Sequence, residues 1–129
     1  MFIVKPACNA GTHAARFKTA WFSKAAKSAG ITNDDLCKAA KQLTDGQGDD
    51  LGGNVWKKRL DRNTKRGLVV NKVGRRWIFV FLFAKSDMDN IGDIDPKKFK
   101  RLAKDYGSKT SADIDLLVDL KELLEICNG

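Results

Sequence analysis

Residues 57–76 read KKRLDRNTKRGLVVNKVGRR, nine lysines or arginines against a single acid, Asp61. Like charge at this density repels itself, so a polyanionic ligand is the first explanation to weigh. RNA would bring its own nucleophile, the 2′-hydroxyl. Cleavage then asks of the protein only in-line geometry, a proton acceptor, a proton donor and cations around the phosphorane. Crowded lysines lower one another's pKa, so one of them can act as base while arginines hold the developing charge. Alternation along "VWKKRL" separates Trp56, Lys58 and Leu60 from Val55, Lys57 and Arg59. Two large apolar side chains mark the first set as the packed one. Lys57 and Arg59 therefore share the more solvated face, and Lys58 snorkels from the other. Arg66 follows the next turn, near Lys65 and Arg62, and Lys85 closes the apolar run "WIFVFLFAK". In an antiparallel sheet Arg66 and Lys85 both approach Lys57 and Arg59.

Other chemistries are poorly served. The one histidine, His13, lies in an N-terminal stretch that reads as a loosely ordered extension, and it is given no role. The acids are scattered over helices and loops, which argues against a metal nuclease, and no metal or other cofactor is expected. There is no GxxxxGK[ST], no GxGxxG after a strand and no GxSxG. Cys8, Cys37 and Cys127 form an odd set without a CxxC pair, so neither a disulfide framework nor a zinc site is expected. Cys37 reads as a small core residue and the usage as that of a reducing cytoplasm. Trp56 and Trp77 could stack on bases, although aromatics on strands are more often core.

The elements that must position these residues follow from periodicity. After a few extended residues, "RFKTAWFSKAAKSAG" becomes a helix with Trp21, Phe22, Ala25, Ala26 and Ala29 on one face and Gly30 as its stop. "ITNDDLCKAAKQLTDGQ" is a second helix with Thr32 and Asp35 as a capping box, Ile31 and Leu36 as a staple, and a stripe of Leu36, Cys37, Ala40 and Leu43. The two make a helical hairpin that covers a sheet. From Asn54 the period changes to two. Strands at 54–62 and 66–73 are joined by "RNTK", and Val73-Gly74-Arg75 turns into the strand from Arg76. That strand is apolar on both sides, with Trp77, Phe79, Phe81 and Phe83 opposite Ile78, Val80 and Leu82, and belongs in mid-sheet. A third helix starts at Pro96 with Asp95 as cap. The acidic end, "TSADIDLLVDLKELLEICNG", is a short helix and then an apolar segment, its charge being a solvated helix face or a shield for the basic strands.

The 129 residues make one domain, with 43% hydrophobic residues, a net charge of +8 and a pI of about 9.5. Nucleic acid is a favoured partner at that charge, with an idle basic surface as the bland alternative. No run approaches a membrane helix or the core of a signal peptide, so no membrane association is expected.

Three stretches, "FKTAWFSKAAKSAGITNDDLCKAAKQL", "DDLGGNVWKKRLDRNTKRG" and "RRWIFVFLFAKSDMDNI", resemble the RelE/ParE superfamily of type II toxin–antitoxin toxins, nearest its RelE-like, HigB-related branch. The resemblance spans residues 16–127 and leaves 1–15 as an extension to a single toxin domain at 16–129. It implies an α+β fold, a helical hairpin packed on a small, mainly antiparallel sheet, with additional C-terminal helices. It also implies a metal-independent messenger-RNA endoribonuclease that cuts in the ribosomal A site and is restrained by a cognate antitoxin. Carried over position by position, the catalytic set is Lys57, Arg59, Arg66 and Lys85. Lys57 or Lys85 would transfer protons, and Arg59 and Arg66 would stabilise charge. Lys58, Arg62, Lys65, Arg76 and Asn90 are the expected substrate contacts. The loop before Arg66 is shorter than in many relatives, and Lys65 stands where some have histidine. Tyr106, the only tyrosine, is remote from the last strand, so no base-stacking aromatic is identifiable. A gyrase-inhibiting ParE-like toxin and a non-catalytic nucleic-acid-binding module are the alternatives.

Overall fold

A computed structural model describes residues 15–62, 64–72, 76–87 and 96–127. His13, Asn90, the Asp95 cap, the 73–75 turn and all but the last residue of the 1–15 extension lie outside them. One sheet holds six strands: β1 (Ala15–Thr19), β2 (Asp49–Asp50), β3 (Val55–Leu60), β4 (Lys65–Lys72), β5 (Arg76–Ala84) and β6 (Leu123–Glu125). Their spatial order is β2-β3-β4-β5-β1-β6. Only the β1–β5 pair is parallel. Helices α1 (Ala20–Ser28) and α2 (Asn33–Thr44) cover one face, and α3 (Pro96–Gly107) and α4 (Ser111–Asp119) cover the other. This is the α+β arrangement expected from the sequence.

Local chemistry explains the hairpin. Thr19 caps α1, its hydroxyl accepting from Phe22 N at 3.1 Å, and Gly30 at φ 76° lets the chain leave the helix. At α2 the Thr32 hydroxyl accepts from Asp35 N at 3.1 Å, and Asp35 Oδ2 accepts from Thr32 N at 3.0 Å. That backbone N–H holds the Asp35 carboxyl below its ordinary pKa. Ile31 and Leu36 are both buried in the cluster beneath, as a staple requires. A second capping box, Thr110 with Asp113, starts α4. Its T-x-x-D spacing was open to the same reading.

Three expectations are corrected. Leu68 pairs with Phe81 but Val69 pairs with Phe79, so Val80 is an extra residue in β5. The bulge reverses the alternation beyond it. Trp77, Phe79 and Leu82 face α1 and α2, whereas Ile78, Val80, Phe81 and Phe83 face α3 and α4. Trp21 is the second correction: it is not in the α1 stripe but 51% exposed. Thirdly, β6 lies beside β1, pairing Glu125 with Phe17, and this carries Cys127 to Cys37 on α2. The two form a disulfide with Cα atoms 5.3 Å apart across 90 residues of sequence. Spacing alone could not show this, because the pairing is made by the sheet.

Candidate functional site

The β3–β4 register decides which basic residues meet. Arg59 pairs with Arg66 and Lys57 with Leu68, on the face that also carries Val55 and Val70 of the α3–α4 core. Across the next ladder Arg66 pairs with Phe83 and Leu68 with Phe81. Two rows therefore cross the sheet on this face, Arg59–Arg66–Phe83 and, beside it, Lys57–Leu68–Phe81. Side chains directly opposite on neighbouring strands have Cβ atoms about 5 Å apart, and like charges so placed destabilise the pair. Arg66 is buried (6% exposed) with Nη1 donating to Lys65 O at 3.0 Å, whereas Arg59 is exposed. Burial of Arg66 departs from a purely solvated patch. It keeps one guanidinium in a low-dielectric setting, where it acts more strongly on nearby charge. Lys57 Nζ lies 3.7 Å from Asp49 Oδ2, the one ion pair among the described residues.

Lys85 stands just past β5, at the start of a single 3₁₀ turn, with its N–H donating to Thr64 O at 2.8 Å. It shares an open hollow of ≈ 650 Å³ with Arg62, Thr64, Lys65, Ala84 and Ser86. From Phe83, opposite Arg66, to Lys85 is two residues, roughly 7 Å along a strand. The β3–β4 turn that borders this hollow is tightly determined. Asp61 and Arg62 both have positive φ, 49° and 52°, and the Thr64 hydroxyl lies 2.7 Å from Asp61 O and 2.9 Å from its Oδ2. A left-handed arginine stores about 1–2 kcal/mol of strain. The shortened loop thus holds Arg62 and Lys65 at one end of the sheet.

Other members of the expected set are placed elsewhere. Lys58 points to the α1–α2 face with Trp56 and Leu60, where burial, and secondarily the charge of Arg59, lowers its pKa. Lys65 also turns to that face, beside Ala25, Ser28 and Ala29. Arg76 stands apart from the basic cluster. It begins β5, at the opposite end from Lys85, and is 7% exposed. Its Nη1 donates to Tyr106 O at 2.8 Å and to Lys109 O at 3.3 Å, and burial lowers its pKa. Tyr106 lies in the last turn of α3 and Lys109 in the link to α4, so Arg76 ties the end of α3 and the following turn to β5. Asn90 lies outside the described residues.

Sequence reasoning missed a second source of charge. On α3, Phe99, Leu102, Ala103 and Tyr106 face the sheet, while Lys97, Lys98, Lys100, Arg101 and Lys104 are exposed. The signal was the alternation of KK-F-KR-LA-K, with cations at the outward positions up to Lys104 and Asp105 the one exposed acid of the helix. Lys100 crosses the β2–β3 loop: a Cβ on Gly53, itself at φ 61°, would lie 2.7 Å from Lys100 Cγ. The pair Gly52-Gly53 therefore lets α3 approach the strand that carries Lys57 and Arg59. Among the described residues no three His, Cys, Asp or Glu side chains gather as metal ligands, and no helix is long and apolar enough to cross a membrane.

The family model described as "RelE toxin of RelE / RelB toxin-antitoxin system" matches residues 15–126. The chain belongs to the RelE toxin family. Searches of curated proteins and of solved structures find no match. Membership makes this RelE-family chain the toxin of a toxin–antitoxin system, in a family of translation-inhibiting ribonucleases, and implies an antitoxin partner. The match covers both β1 and β6 and ends at residue 126, one short of Cys127.

Proposed function

We propose that this RelE-family toxin is a metal-independent endoribonuclease that cuts messenger RNA in the ribosomal A site, with Lys57, Arg59, Arg66 and Lys85 as its catalytic set. The observation that carries the reading is the Arg59–Arg66 cross-strand pair beside Lys57. Two guanidiniums directly opposite on neighbouring strands present converging donors to an anionic group bound over them. The two guanidiniums hold the scissile phosphate and the charge that develops on its oxygens. Lys57, oriented by Asp49, and Lys85, at the sheet end, are the proton-transfer candidates for the 2′-hydroxyl and the leaving 5′-oxygen. Arg62 and Lys65 bind the flanking backbone. The exposed cations of α3 extend the same field towards ribosomal RNA. A cytoplasmic location rests on that substrate alone, since the Cys37–Cys127 disulfide removes the support that cysteine usage gave.

Primer extension on a reporter messenger RNA after induction, with wild type beside Arg66→Ala, tests this. Discrete, translation-dependent cuts are expected, reduced in the variant by on the order of a hundredfold or more, the usual effect of removing one preorganised charge donor. Because Arg66 is buried, the variant's melting temperature is measured in parallel. Undiminished cutting by folded Arg66→Ala would remove Arg66 from the site. Intact transcripts under growth arrest would redirect the search to gyrase.

A further inference from the structure

The exposed aromatic at the start of α1 stands outside everything assigned so far. The inward stripe of α1 is Phe22 and Ala26, with Ala25 and Ala29 at its margins, and Trp21 has no place in it. Its indole lies flat on Phe81, with ring centroids 5.0 Å apart and planes at 13°. About half of it, 51%, remains exposed. Phe81 is held in turn by Phe83 (6.1 Å, 32°) and Phe99 (5.7 Å, 48°). The result is a backed platform rather than a loose surface tryptophan. The bulge at Val80 is what brings Phe81 to this face, where the Lys57 and Arg66 rows end.

We infer that Trp21 is a base-stacking subsite for single-stranded RNA whose phosphate lies on the arginine row. The inference rests on the ribonuclease reading for the identity of the ligand. Its own support is the spacing. Strands lie about 5 Å apart, so Arg66, one strand over from Phe83, and Lys57, two strands over from Phe81, stand roughly 10–15 Å from the indole. That is the reach from a base to the backbone of the next nucleotide or two, after allowance for the long arginine and lysine side chains. Cations that follow the backbone, with an aromatic that takes a base regardless of its identity, are the two components of single-strand recognition. A protein partner would also use an exposed tryptophan, but the row of cations beside this one favours a nucleotide.

The probe is a short 2′-O-methyl oligoribonucleotide, which lacks the attacking hydroxyl and so separates binding from cleavage. Its fluorescence anisotropy and the protein's tryptophan emission are followed in one titration. Trp56 and Trp77 pack edge to face (5.7 Å, 79°), and Trp77 is 5% exposed. Trp21 therefore dominates any accessible signal, which iodide quenching of the free protein verifies. The expected result is quenching that saturates together with anisotropy. Trp21→Leu should weaken binding about tenfold and Trp21→Phe much less, as stacking predicts. Neither should change the salt slope, whereas Arg59→Ala should reduce it by about one. RNA that binds without quenching, with Trp21→Leu at wild-type affinity, overturns the inference and leaves the arginine row standing. Loss of antitoxin binding without loss of RNA affinity in Trp21→Leu also overturns it, in favour of a protein contact. A wild-type protein that binds no RNA removes both the subsite and the arginine row.

Discussion

Replacing Arg76 with methionine separates a structural arginine from the functional ones. The side chain is 7% exposed and its Nη1 donates to Tyr106 O at 2.8 Å and Lys109 O at 3.3 Å. A hydrogen bond to a charged group contributes about 1.5–3 kcal/mol net; with the second contact long, about 2–3 kcal/mol is expected for the pair. Methionine keeps the apolar stem and offers no donor, so the Tyr106 and Lys109 carbonyls lose their partner, while the desolvation of a guanidinium is no longer opposed to folding. The second effect offsets part of the first, leaving roughly 2 kcal/mol lost. For a domain of this size that lowers the melting temperature by about 6–8 °C. The assay pairs thermal unfolding with oligoribonucleotide binding well below the transition. Arg76→Met should melt early and bind as wild type, because Arg76 is nine residues along β5 from Lys85, roughly 30 Å at strand rise. An unchanged melting temperature with weakened RNA binding would refute the reasoning and return Arg76 to the substrate contacts.

Reduction of the Cys37–Cys127 bridge, or Cys127→Ser, should lower the melting temperature and expose the new thiols to a thiol reagent. Closing a loop of about 90 residues restricts the unfolded chain by ~4.6 kcal/mol in the loop-entropy treatment, an upper figure for this bridge. Identical melts with and without reductant would show that the bridge does not form. Lys58→Gln should leave RNA cleavage near wild type, while Lys57→Gln lowers it at least tenfold, since the two point to opposite faces. The folded pKa of Lys58 is depressed, so its charge opposes folding at neutral pH and the penalty fades as pH rises from that depressed value towards about 10.4. Lys58→Gln should therefore match or exceed wild-type stability at pH 7 and lose that advantage at high pH. Thr32→Ala should cost about 1 kcal/mol by thermal unfolding. Asp35 is depressed by the same box, so its contribution is present above about pH 3.9 and disappears as pH falls through the lower folded value. Asp35→Asn should therefore converge with wild type in stability at the acid end, and a gap that stays constant there would contradict the capping-box assignment.

Much of this architecture was legible because it is written in local chemistry. Thr32 and Asp35 announce α2, Gly30 closes α1, and the period-two run around Trp56 and Lys58 assigns faces that the β3–β4 register then respects. What was not legible depends on residues far apart in sequence. Nothing near Val80 marks a bulge; it is defined by Val69 choosing Phe79 and Leu68 choosing Phe81. Cys37 finds Cys127 only once β6 has joined β1. Arg76 looked like one more cation in a basic run until α3 placed its last carbonyls against it. The site divides in the same way. Alternation gave Lys57 and Arg59 a common face, but it could not assign Lys65 and Arg66, which depend on where the turn at Asp61–Arg62 sets the register.

That dependence makes the short turn a determinant of the proposed chemistry. With one residue more or less between Leu60 and Lys65, the pleat would exchange faces from Lys65 onward, and Arg66 would leave Arg59 for the α1–α2 side. The Val69 and Leu68 packing would have to reverse as well, leaving Gly67 or Val69 where Leu68 now packs, so the core opposes the slip together with the turn. Two left-handed residues that are not glycine, at Asp61 and Arg62, fit this account: the strain they hold is balanced by a register fixed on both sides. The same register leaves Arg59 opposite Arg66 despite their repulsion. Core packing, turn strain and like-charge opposition thus converge on one pair of arginines. A bound phosphate would add an attraction to that pair.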